Sequence, residues 1–344
     1  MSVLMIGARR VGPGEEPYVI AEIGVNHDGS AERAVELVEI AARAGVDAVK
    51  FQLFRASMLM SRAAVLAAYQ KRAGESDPVE MLRRLELSAE QLAPAVFRAH
   101  QHGLHAIVSV FSVGLVKEAH RLSWDAYKTA SPDIINKPLL DALAQTGKPL
   151  IVSTGTATLE EVARAGVWMR GTSAAFLQCV SSYPAEDRHA AVGAVRAVEG
   201  ATDRVVGYSD HTPRVETALV AVGAGASILE KHLTYDRGAA GPDHAASLDG
   251  AQMAEYVRLA RLGHALMGDG VKRVLDAEKD VRQVSRQSLT ATRRIPRGKA
   301  IEPADLTIKR PGTGIEPWRM DDVVGRVAAR DVDADMPLME EDVK

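Results

Sequence analysis

The sequence predicts an α/β protein, a TIM (β/α)8 barrel followed by a small, mostly β domain. Three observations lead to this prediction. Short apolar runs alternate with helical patterns eight times between about residues 18 and 266. Polar side chains collect at the C-terminal ends of these runs, where a barrel builds its active site. After about residue 267 the alternation stops, and short β-like pieces separated by turn residues follow.

The eight apolar runs are candidate strands. In chain order they read YVIAEIG, DAVKFQL, HAIVSVF, AYKTAS, PLIVSTG, AAFLQCV, RVVGYSD and SILEKHL. Segments such as SAERAVELVEIAARAG lie between them, and their apolar spacing is that of an amphipathic helix. Eight strand-then-helix units are what a TIM barrel requires.

Several helix starts are marked by capping signals. Two segments have the spacing of a capping box, a loop ending in serine precedes the first helix, and a Thr-Pro pair fits an N-cap followed by proline at the first helical position. The residues concerned are Ser88 with Gln91, Thr158 with Glu161, Ser30 after Gly29, and Thr212 with Pro213.

The C-terminal part predicts a separate β domain. Its β-like pieces are SLTATRRI, IPRGKAI, LTIKRPGTGI and VVGRVAARDV, with turn residues at 296–298 and 311–314. We therefore expect a barrel domain over residues 1–270, a linker over 271–285 and the small domain over 286–344. A domain of this size is marginal alone and is expected to dock on another surface.

Composition and charge favour a small-molecule partner. The chain has 344 residues, of which 47% are hydrophobic and 25% charged, the balance of a soluble globular protein. A formal net charge of -3 and a pI near 6.4 provide no field that would attract nucleic acid or an anionic membrane. We therefore expect neither of these as a partner.

The cysteine count and the N-terminus indicate a cytoplasmic protein. Cys179 is the single cysteine, so no disulfide framework can form within the chain. The apolar patch in MSVLMIGARR is too short for a signal sequence, and no later segment approaches the length of a membrane span.

The polar residues at the strand ends are the main signal for an active site, because the C-terminal ends of barrel strands meet at one mouth. A single serine there could simply mark where burial stops. The set comprises Glu22, Lys50, Gln52, Ser109, Ser131, Ser153, Ser181, Tyr183, Ser209, His211 and His232.

Two histidines at the ends of the last two strands predict a metal site. His211 and His232 would stand on neighbouring strands of a closed barrel, with both imidazoles directed at the mouth. Two neutral imidazoles with open positions filled by water suit a divalent transition metal such as Mn²⁺ or Zn²⁺. Asp210 and Glu230 are close enough in sequence to serve as hydrogen-bond partners of these ligands.

Two lysines and several hydroxyl groups predict a phosphate site at the same mouth. Lys50 and Lys128 would bring positive charge beside the serine hydroxyls, a combination that binds phosphate without a Walker loop. No GxxxxGKS motif is present in the chain. Lysines that extend to solvent at a barrel rim are the alternative. Glu22, at the end of the first strand, could take a proton or position water.

Several motifs together resemble the N-acetylneuraminate (sialic acid) synthase family over essentially the whole chain. They are EIGVNHDGS, AVKFQLF, YSDHT, EKHLT and GPDHAASL, and IPRGKAI with IKRPGTG resembles the C-terminal SAF, or antifreeze-like, domain of that family. The resemblance implies a transferase that condenses phosphoenolpyruvate (PEP) with an open-chain sugar aldehyde such as N-acetylmannosamine. The products would be phosphate and a 2-keto-3-deoxy nonulosonic acid.

The resemblance also implies roles for individual residues. It makes Glu22 the catalytic carboxylate and makes His211 and His232 the ligands of a divalent metal, with Mn²⁺ expected and Mg²⁺, Co²⁺ or Zn²⁺ as alternatives. The implied PEP site consists of Lys50, Ser109, Lys128, Ser131, Ser153, Ser181 and Ser209. The implied sugar site consists of Gln52, Phe111, Asp133, Tyr183 and Asp243, together with Arg310 from the partner subunit of a domain-swapped homodimer.

The sequence departs from the sialic acid pattern at several positions and leaves the acceptor open. Ser109 replaces an expected threonine, Asp133 a Gly-Glu pair and Ser181 an asparagine, while Phe51 and Phe54 replace more polar residues. Legionaminate-type, pseudaminate-type, non-acetylated and spore-coat-type sugars are therefore alternatives. A related metal-dependent aldolase or hydrolase on the same barrel is an alternative function, because fold alone does not fix function. A non-catalytic carbohydrate-binding protein is another.

Overall fold

A computed structural model describes residues 3–67, 70–71 and 74–344. It begins with a short antiparallel hairpin of β1 (Leu4–Ile6) and β2 (Arg9–Val11). The next eight strands close into a parallel barrel in which the last strand pairs with the first. They are β3 (Tyr18–Glu22), β4 (Ala48–Leu53), β5 (His105–Val110), β6 (Ala126–Thr129), β7 (Leu150–Ser153), β8 (Ala174–Cys179), β9 (Val205–Asp210) and β10 (Ile228–His232). All eight predicted strands are confirmed.

Helices follow the strands and cover the outside of the barrel. They are α1 (Ala31–Ala44), α2 (Ala56–Leu59), α3 (Pro78–Leu85), α4 (Ala89–Gln101), α5 (Val113–Ala119), α6 (Lys137–Ala144), α7 (Leu159–Trp168), α8 (Val195–Thr202), α9 (Thr217–Gly223) and α10 (Gly250–Met267). Among the residues that the structure describes, none of the helices is both long and apolar enough to cross a membrane.

The capping predictions are confirmed at three helices and wrong at the fourth. Ser30 caps α1, and the boxes at Ser88 and Thr158 begin α4 and α7. Helix α9 instead begins at Thr217, well after Thr212. The Thr212 hydroxyl accepts the backbone N–H of Arg214 at 3.3 Å, so this threonine closes a local turn and caps no helix.

Strand periodicity separates two apolar layers from one polar layer. Residues that face outward from the barrel form the main core with the helices. Inward residues in the lower part of the barrel, such as Ile20, Ala48 and Ile107, form a second cluster, which Leu4 and Ile6 of the hairpin close from below. Because side chains alternate along a strand, the next inward residue on each strand lies at the C-terminal mouth.

The barrel interior requires one glycine. A Cβ atom on Gly207 would lie 2.3 Å from the carbonyl oxygen of Ile228 and 2.6 Å from a methyl group of Leu177. Only a residue without a side chain lets β9 pass so close to its neighbours.

The chain divides into two compact units, Met1–Asp269 and Gly270–Lys344. The second unit contains α11 (Lys279–Ser285), β11 (Ser288–Ala291), β12 (Leu306–Lys309) and α12 (Met320–Val323). It has its own apolar core, in which Leu289, Ile301 and Leu338 are fully or almost fully buried. Isolated bridges join the remaining β-like pieces. The predicted domain limits at residues 270 and 286 stay predictions.

Candidate active site

A cavity of about 470 Å³ opens at the C-terminal mouth of the barrel. It brings together nearly all of the side chains that the sequence singled out. The cavity is lined by Lys50, Gln52, Ser109, Phe111, Lys128, Ser131, Asp133, Ser153, Ser181, Tyr183, Ser209, His211, Glu230, His232 and Asp243. Glu22 is fully buried and contacts Lys50. Arg310 is exposed and belongs to the second unit.

Two lysines and Glu230 line the floor of the cavity, and the fully buried Glu22 joins them through its contact with Lys50. The Nζ atom of Lys50 contacts a carboxylate oxygen of Glu22 and lies 3.6 Å from Oε2 of Glu230. The Nζ atom of Lys128 lies 3.3 Å from Oε1 of Glu230, which also accepts the Ser209 hydroxyl at 2.9 Å. The inward positions of four different strands therefore carry balanced charges.

The two glutamates have different proton affinities although they share the lysines. Burial raises the pKa of Glu22 to about 7, and the attraction of Lys50 offsets this only in part. Burial also acts on Glu230, but Lys128 and Lys50 outweigh it and lower the pKa of this carboxyl to about 2. Glu22 can therefore exchange a proton near neutral pH, whereas Glu230 stays ionised.

Serine hydroxyls surround the lysine amines. Lys50 donates to the hydroxyl of Ser109 at 3.2 Å, and Lys128 donates to that of Ser153 at 2.7 Å. Such a group of cationic and hydroxyl donors can bind a phosphate or carboxylate.

A glycine backbone approaches the serines closely. The backbone N–H of Gly155 donates to the hydroxyl of Ser131 at 3.1 Å. A Cβ atom on Gly155 would lie 2.3 Å from Oγ of Ser181 and 2.6 Å from Oγ of Ser131, so a side chain there would displace both hydroxyls. The glycine thus keeps these two donors at the cavity wall.

The two predicted metal-ligating histidines lie side by side, with ring centroids 5.4 Å apart. The Nδ1 atom of His211 lies 2.8 Å from the carbonyl oxygen of Val180, which leaves Nε2 for a ligand. The buried Nδ1 atom of His232 has no hydrogen-bond partner in the described structure and lies 3.7 Å from Oδ2 of Asp243. Burial lowers the pKa of His232 well below its usual range, so the imidazole is neutral.

The donor set fits a metal with several open positions. Within the described residues, no group of three or more His, Cys, Asp or Glu side chains is placed to hold a metal ion. The two imidazoles would therefore supply the protein ligands of a divalent ion, and oxygen atoms of water or substrate would complete its coordination. The unpartnered nitrogen of His232 is consistent with such a ligand.

The expected hydrogen bonds from Asp210 and Glu230 to the histidines are not found among the described contacts, although Glu230 does line the cavity. Asp210 lies one residue after the inward Ser209, so alternation turns its carboxylate to the outside of the barrel. There it pairs with Lys231 at 2.8 Å. Glu230 faces inward, and its described contacts are with Ser209 and the two lysines rather than with a histidine.

Two features of the cavity were not predicted from the sequence. Cys179 lines it, with Sγ 3.7 Å from Nδ1 of His211. Residues after β3, β4 and β5 also form an apolar wall, in which the predicted sugar-site residue Phe111 is joined by five residues that were not predicted. We define this wall as Val25, Leu59, Met81, Leu82, Leu85 and Phe111. The inward position two residues after Leu177 could have identified Cys179. Phe111 likewise continues the inward alternation of β5, whereas the other wall residues follow no strand period.

Two loop motifs hold the mouth together. Asn26 donates to the carbonyl oxygen of Leu233 at 2.9 Å and to the hydroxyl of Ser247 at 2.8 Å. Asp28 lies 2.9 Å from Nε2 of His244. These contacts tie the NHDG turn after β3 to the segment that carries Asp243.

Comparisons with known proteins agree with this geometry. The sequence profile of the NeuB family matches residues 37–272, and that of the SAF domain matches residues 286–344. The chain is 35% identical to an N,N'-diacetyllegionaminic acid synthase of Legionella pneumophila, over 95% of this chain and 94% of the relative. It is 33% identical to a protein of the same name from Campylobacter jejuni, over 95% of this chain and all of the relative.

Solved structures support the same assignment. The chain superposes on a spore coat polysaccharide biosynthesis protein E from Chromobacterium violaceum with a TM-score of 0.80 and 25% identity, covering 95% of this chain and 99% of the other. Together with a profile match over more than half of the sequence, this agreement identifies the protein: the chain belongs to the NeuB family and carries a C-terminal SAF domain.

Proposed function

We propose that the protein is a PEP-dependent transferase of the sialic acid synthase type. It condenses PEP with an open-chain amino sugar and releases phosphate and a 2-keto-3-deoxy nonulosonic-type acid. The observation that carries this proposal is the arrangement of one cavity, in which a lysine and serine floor lies beneath a pair of imidazoles. Relatives that span nearly the whole chain and are named as legionaminic acid synthases support it.

PEP binds at the floor of the cavity in this proposal. Its phosphate and carboxylate are anionic, and the ammonium groups of Lys50 and Lys128 with the surrounding hydroxyls are the donors that match them. The remaining residues of the proposed PEP site are Ser109, Ser131, Ser153, Ser181 and Ser209, all of which line the cavity.

His211 and His232 hold a divalent metal, with Mn²⁺ expected and Mg²⁺, Co²⁺ or Zn²⁺ as alternatives. When bound, this ion polarises the aldehyde oxygen of the sugar as a Lewis acid. The Val180 carbonyl keeps Nδ1 of His211 protonated, so that Nε2 carries the lone pair that a ligand needs.

Glu22 accepts a proton from the attacking water. The C3 atom of PEP forms a bond to the aldehyde carbon, which leaves positive charge at C2. Water adds to C2 and gives a proton to Glu22, whose pKa of about 7 suits this exchange. The former aldehyde oxygen takes a proton from solvent and becomes a hydroxyl group. The bond between C2 and the bridging oxygen then breaks, phosphate leaves with that oxygen and with the proton of the C2 hydroxyl, and the C2 oxygen becomes the keto oxygen.

The sugar binds at the upper part of the cavity, against Gln52, Phe111, Asp133, Tyr183 and Asp243. Burial raises the pKa of Asp133 and that of Asp243 to about 6, and both carboxyl groups can hydrogen-bond sugar hydroxyls or amide N–H groups. The apolar wall offers contacts for methyl groups. We therefore favour an acceptor with N-acetyl groups, in keeping with relatives named for a diacetylated product.

The proposed assembly is a domain-swapped homodimer in the cytoplasm, in which Arg310 of each SAF domain completes the sugar site of the other subunit. Leu275, Val281 and Val284, which precede the SAF domain, are more than half exposed in the single chain. Exposed apolar side chains on consecutive turns support burial by a partner. The single thiol, Cys179, is compatible with a reducing compartment.

A substrate panel tests this function. We expect acceptor-dependent phosphate release from PEP with Mn²⁺ and an N-acylated hexosamine, together with a product whose mass is that of a condensed keto acid. Chelation should abolish release, and added metal should restore it. Cleavage of a keto acid without PEP would indicate the aldolase alternative. Sugar binding without any phosphate release would indicate a carbohydrate-binding protein.

A further inference from the structure

A buried ion pair lies on the outer face of the same two strands that carry the histidines. Lys231 and Asp210 are direct neighbours in the register of β10 and β9, and their charged atoms lie 2.8 Å apart. Both side chains are 0% exposed. Each residue immediately precedes one of the histidines in the chain, so the ion pair joins the backbone next to His211 to the backbone next to His232.

The ammonium group of Lys231 binds a single short turn. Besides Asp210, it donates to the carbonyl oxygen of Thr212 and to that of Arg214, the latter at 3.2 Å. Oδ1 of Asp210 accepts the backbone N–H of Thr212 at 2.9 Å, and the Thr217 hydroxyl donates to its other oxygen. All three ammonium hydrogens therefore have acceptors within residues 210–214, which contain His211.

Burying the charges of Lys231 and Asp210 costs desolvation free energy, so a contribution to stability alone does not explain why both charges are present. A buried ion pair can often be replaced by uncharged residues of similar volume without loss of stability, because burying both charges requires removing their water. An uncharged side chain could fill the space of Lys231, but it could not bind the two carbonyl oxygens of the turn. The feature that only the lysine provides is a fixed distance between β10 and the turn that carries His211.

We propose that Asp210 and Lys231 are positioning residues that hold the imidazoles of His211 and His232 in one geometry for a divalent cation. This inference rests on the proposed metal role of the two histidines. It assigns a function to the Asp of YSDHT and the Lys of EKHLT, neither of which faces the cavity. Groups that orient metal ligands are typically worth about 10- to 100-fold in metal affinity.

Cobalt binding to the full chain tests the proposal. The double variant Asp210→Asn with Lys231→Met removes both charges and both carbonyl contacts but keeps the side-chain shapes close to the original. We expect this variant to stay folded in the absence of metal, with a urea unfolding midpoint lowered because the carbonyl oxygens of Thr212 and Arg214 lose a donor. Its dissociation constant for Co²⁺ should rise about 10- to 100-fold, and the visible absorption bands of bound Co²⁺ should shift.

A second variant and a matched control keep the test decisive. Lys231→Arg retains a buried cation, but a planar guanidinium cannot occupy the point shared by three oxygen atoms, so weaker Co²⁺ binding is expected. Lys299→Met is the control, because Lys299 pairs with the fully buried Asp305 at 2.7 Å in the second unit. Its Co²⁺ affinity should match that of the wild type.

The outcomes separate this inference from the proposed function. Wild-type Co²⁺ affinity and absorption in the double variant, or in Lys231→Arg if the double variant does not fold, would overturn the positioning role. His211→Ala and His232→Ala should abolish Co²⁺ binding. If they do not, the proposed metal site is wrong, whatever the lysine variants show.

Discussion

Glu22 and Glu230 illustrate how two identical side chains acquire different chemistry. Both are buried and both contact Lys50, but Glu230 also contacts Lys128 and accepts a hydroxyl from Ser209. The additional partners stabilise the ionised form of Glu230 and lower its pKa. The pKa of Glu22 is about 7, so this carboxyl group titrates near neutral pH. A fixed anion and a proton acceptor therefore lie side by side.

We expect the rate of phosphate release to increase with pH through about 7 in the wild-type protein, because only ionised Glu22 accepts the proton of the attacking water. Glu22→Gln should lower kcat by about 100-fold or more and remove this limb of the profile. Steady-state rates between pH 5.5 and 8.5 (about the range in which such groups titrate) provide the measurement. Glu90→Gln, which changes an exposed carboxylate, is the control. A limb near pH 7 that persists in Glu22→Gln would assign it to another group.

Strand periodicity accounts for most of what the sequence predicted. The inward positions of β3 to β10 follow from alternation, and this is why Glu22, Lys50 and Lys128 converge as expected. The same rule places Asp210 on the outer face, and our expectation for this residue failed because it considered only distance along the chain.

Apart from Phe111, the apolar wall could not be predicted because it depends on tertiary packing. Its residues lie after strand ends and on two short helices, α2 and α3, where no strand alternation indicates which side chains face the cavity. Helix α9 presents a related difficulty. The hydrogen bond from Lys231 to the carbonyl oxygen of Arg214 stabilises a turn before the helix. The helix therefore begins at Thr217 and not at the position that the Thr-Pro pair predicted.

Helix α3 provides a test of the sugar site. Leu82 lines the cavity and is half-buried, whereas Arg83 on the same helix is exposed. Leu82→Gln should raise the KM for an N-acetylated acceptor about tenfold, in the range of losing apolar contacts in a specificity pocket. The KM for PEP should not change. Arg83→Gln is the matched control, and an equal effect on both substrates would argue against a wall that contacts only the sugar.

The barrel unit of one subunit and the SAF unit of the other are proposed to cooperate. Apolar residues before the SAF domain are exposed in the single chain, and Arg310 lies in a different unit from the cavity. A two-fold dimer would bring each SAF domain to the barrel of its partner.

Mixed dimers test this arrangement. If Arg310 acts on the partner subunit, a dimer of Glu22→Ala and Arg310→Ala chains has one site with both defects and one with neither. Random re-association of the two inactive variants should then restore about a quarter of wild-type activity, because about half of the dimers are mixed. If Arg310 served its own barrel, every site would carry one defect, and no activity would return.

A single oxygen atom tests whether this cavity joins PEP to a sugar through attack of water at C2. PEP labelled with ¹⁸O in the bridge between C2 and phosphorus is turned over with the accepted sugar, and both products are analysed by mass spectrometry. The label should leave in phosphate, because the bond between C2 and the bridging oxygen breaks. Label retained in the keto acid would show that the bond between phosphorus and oxygen breaks instead, and would contradict the mechanism.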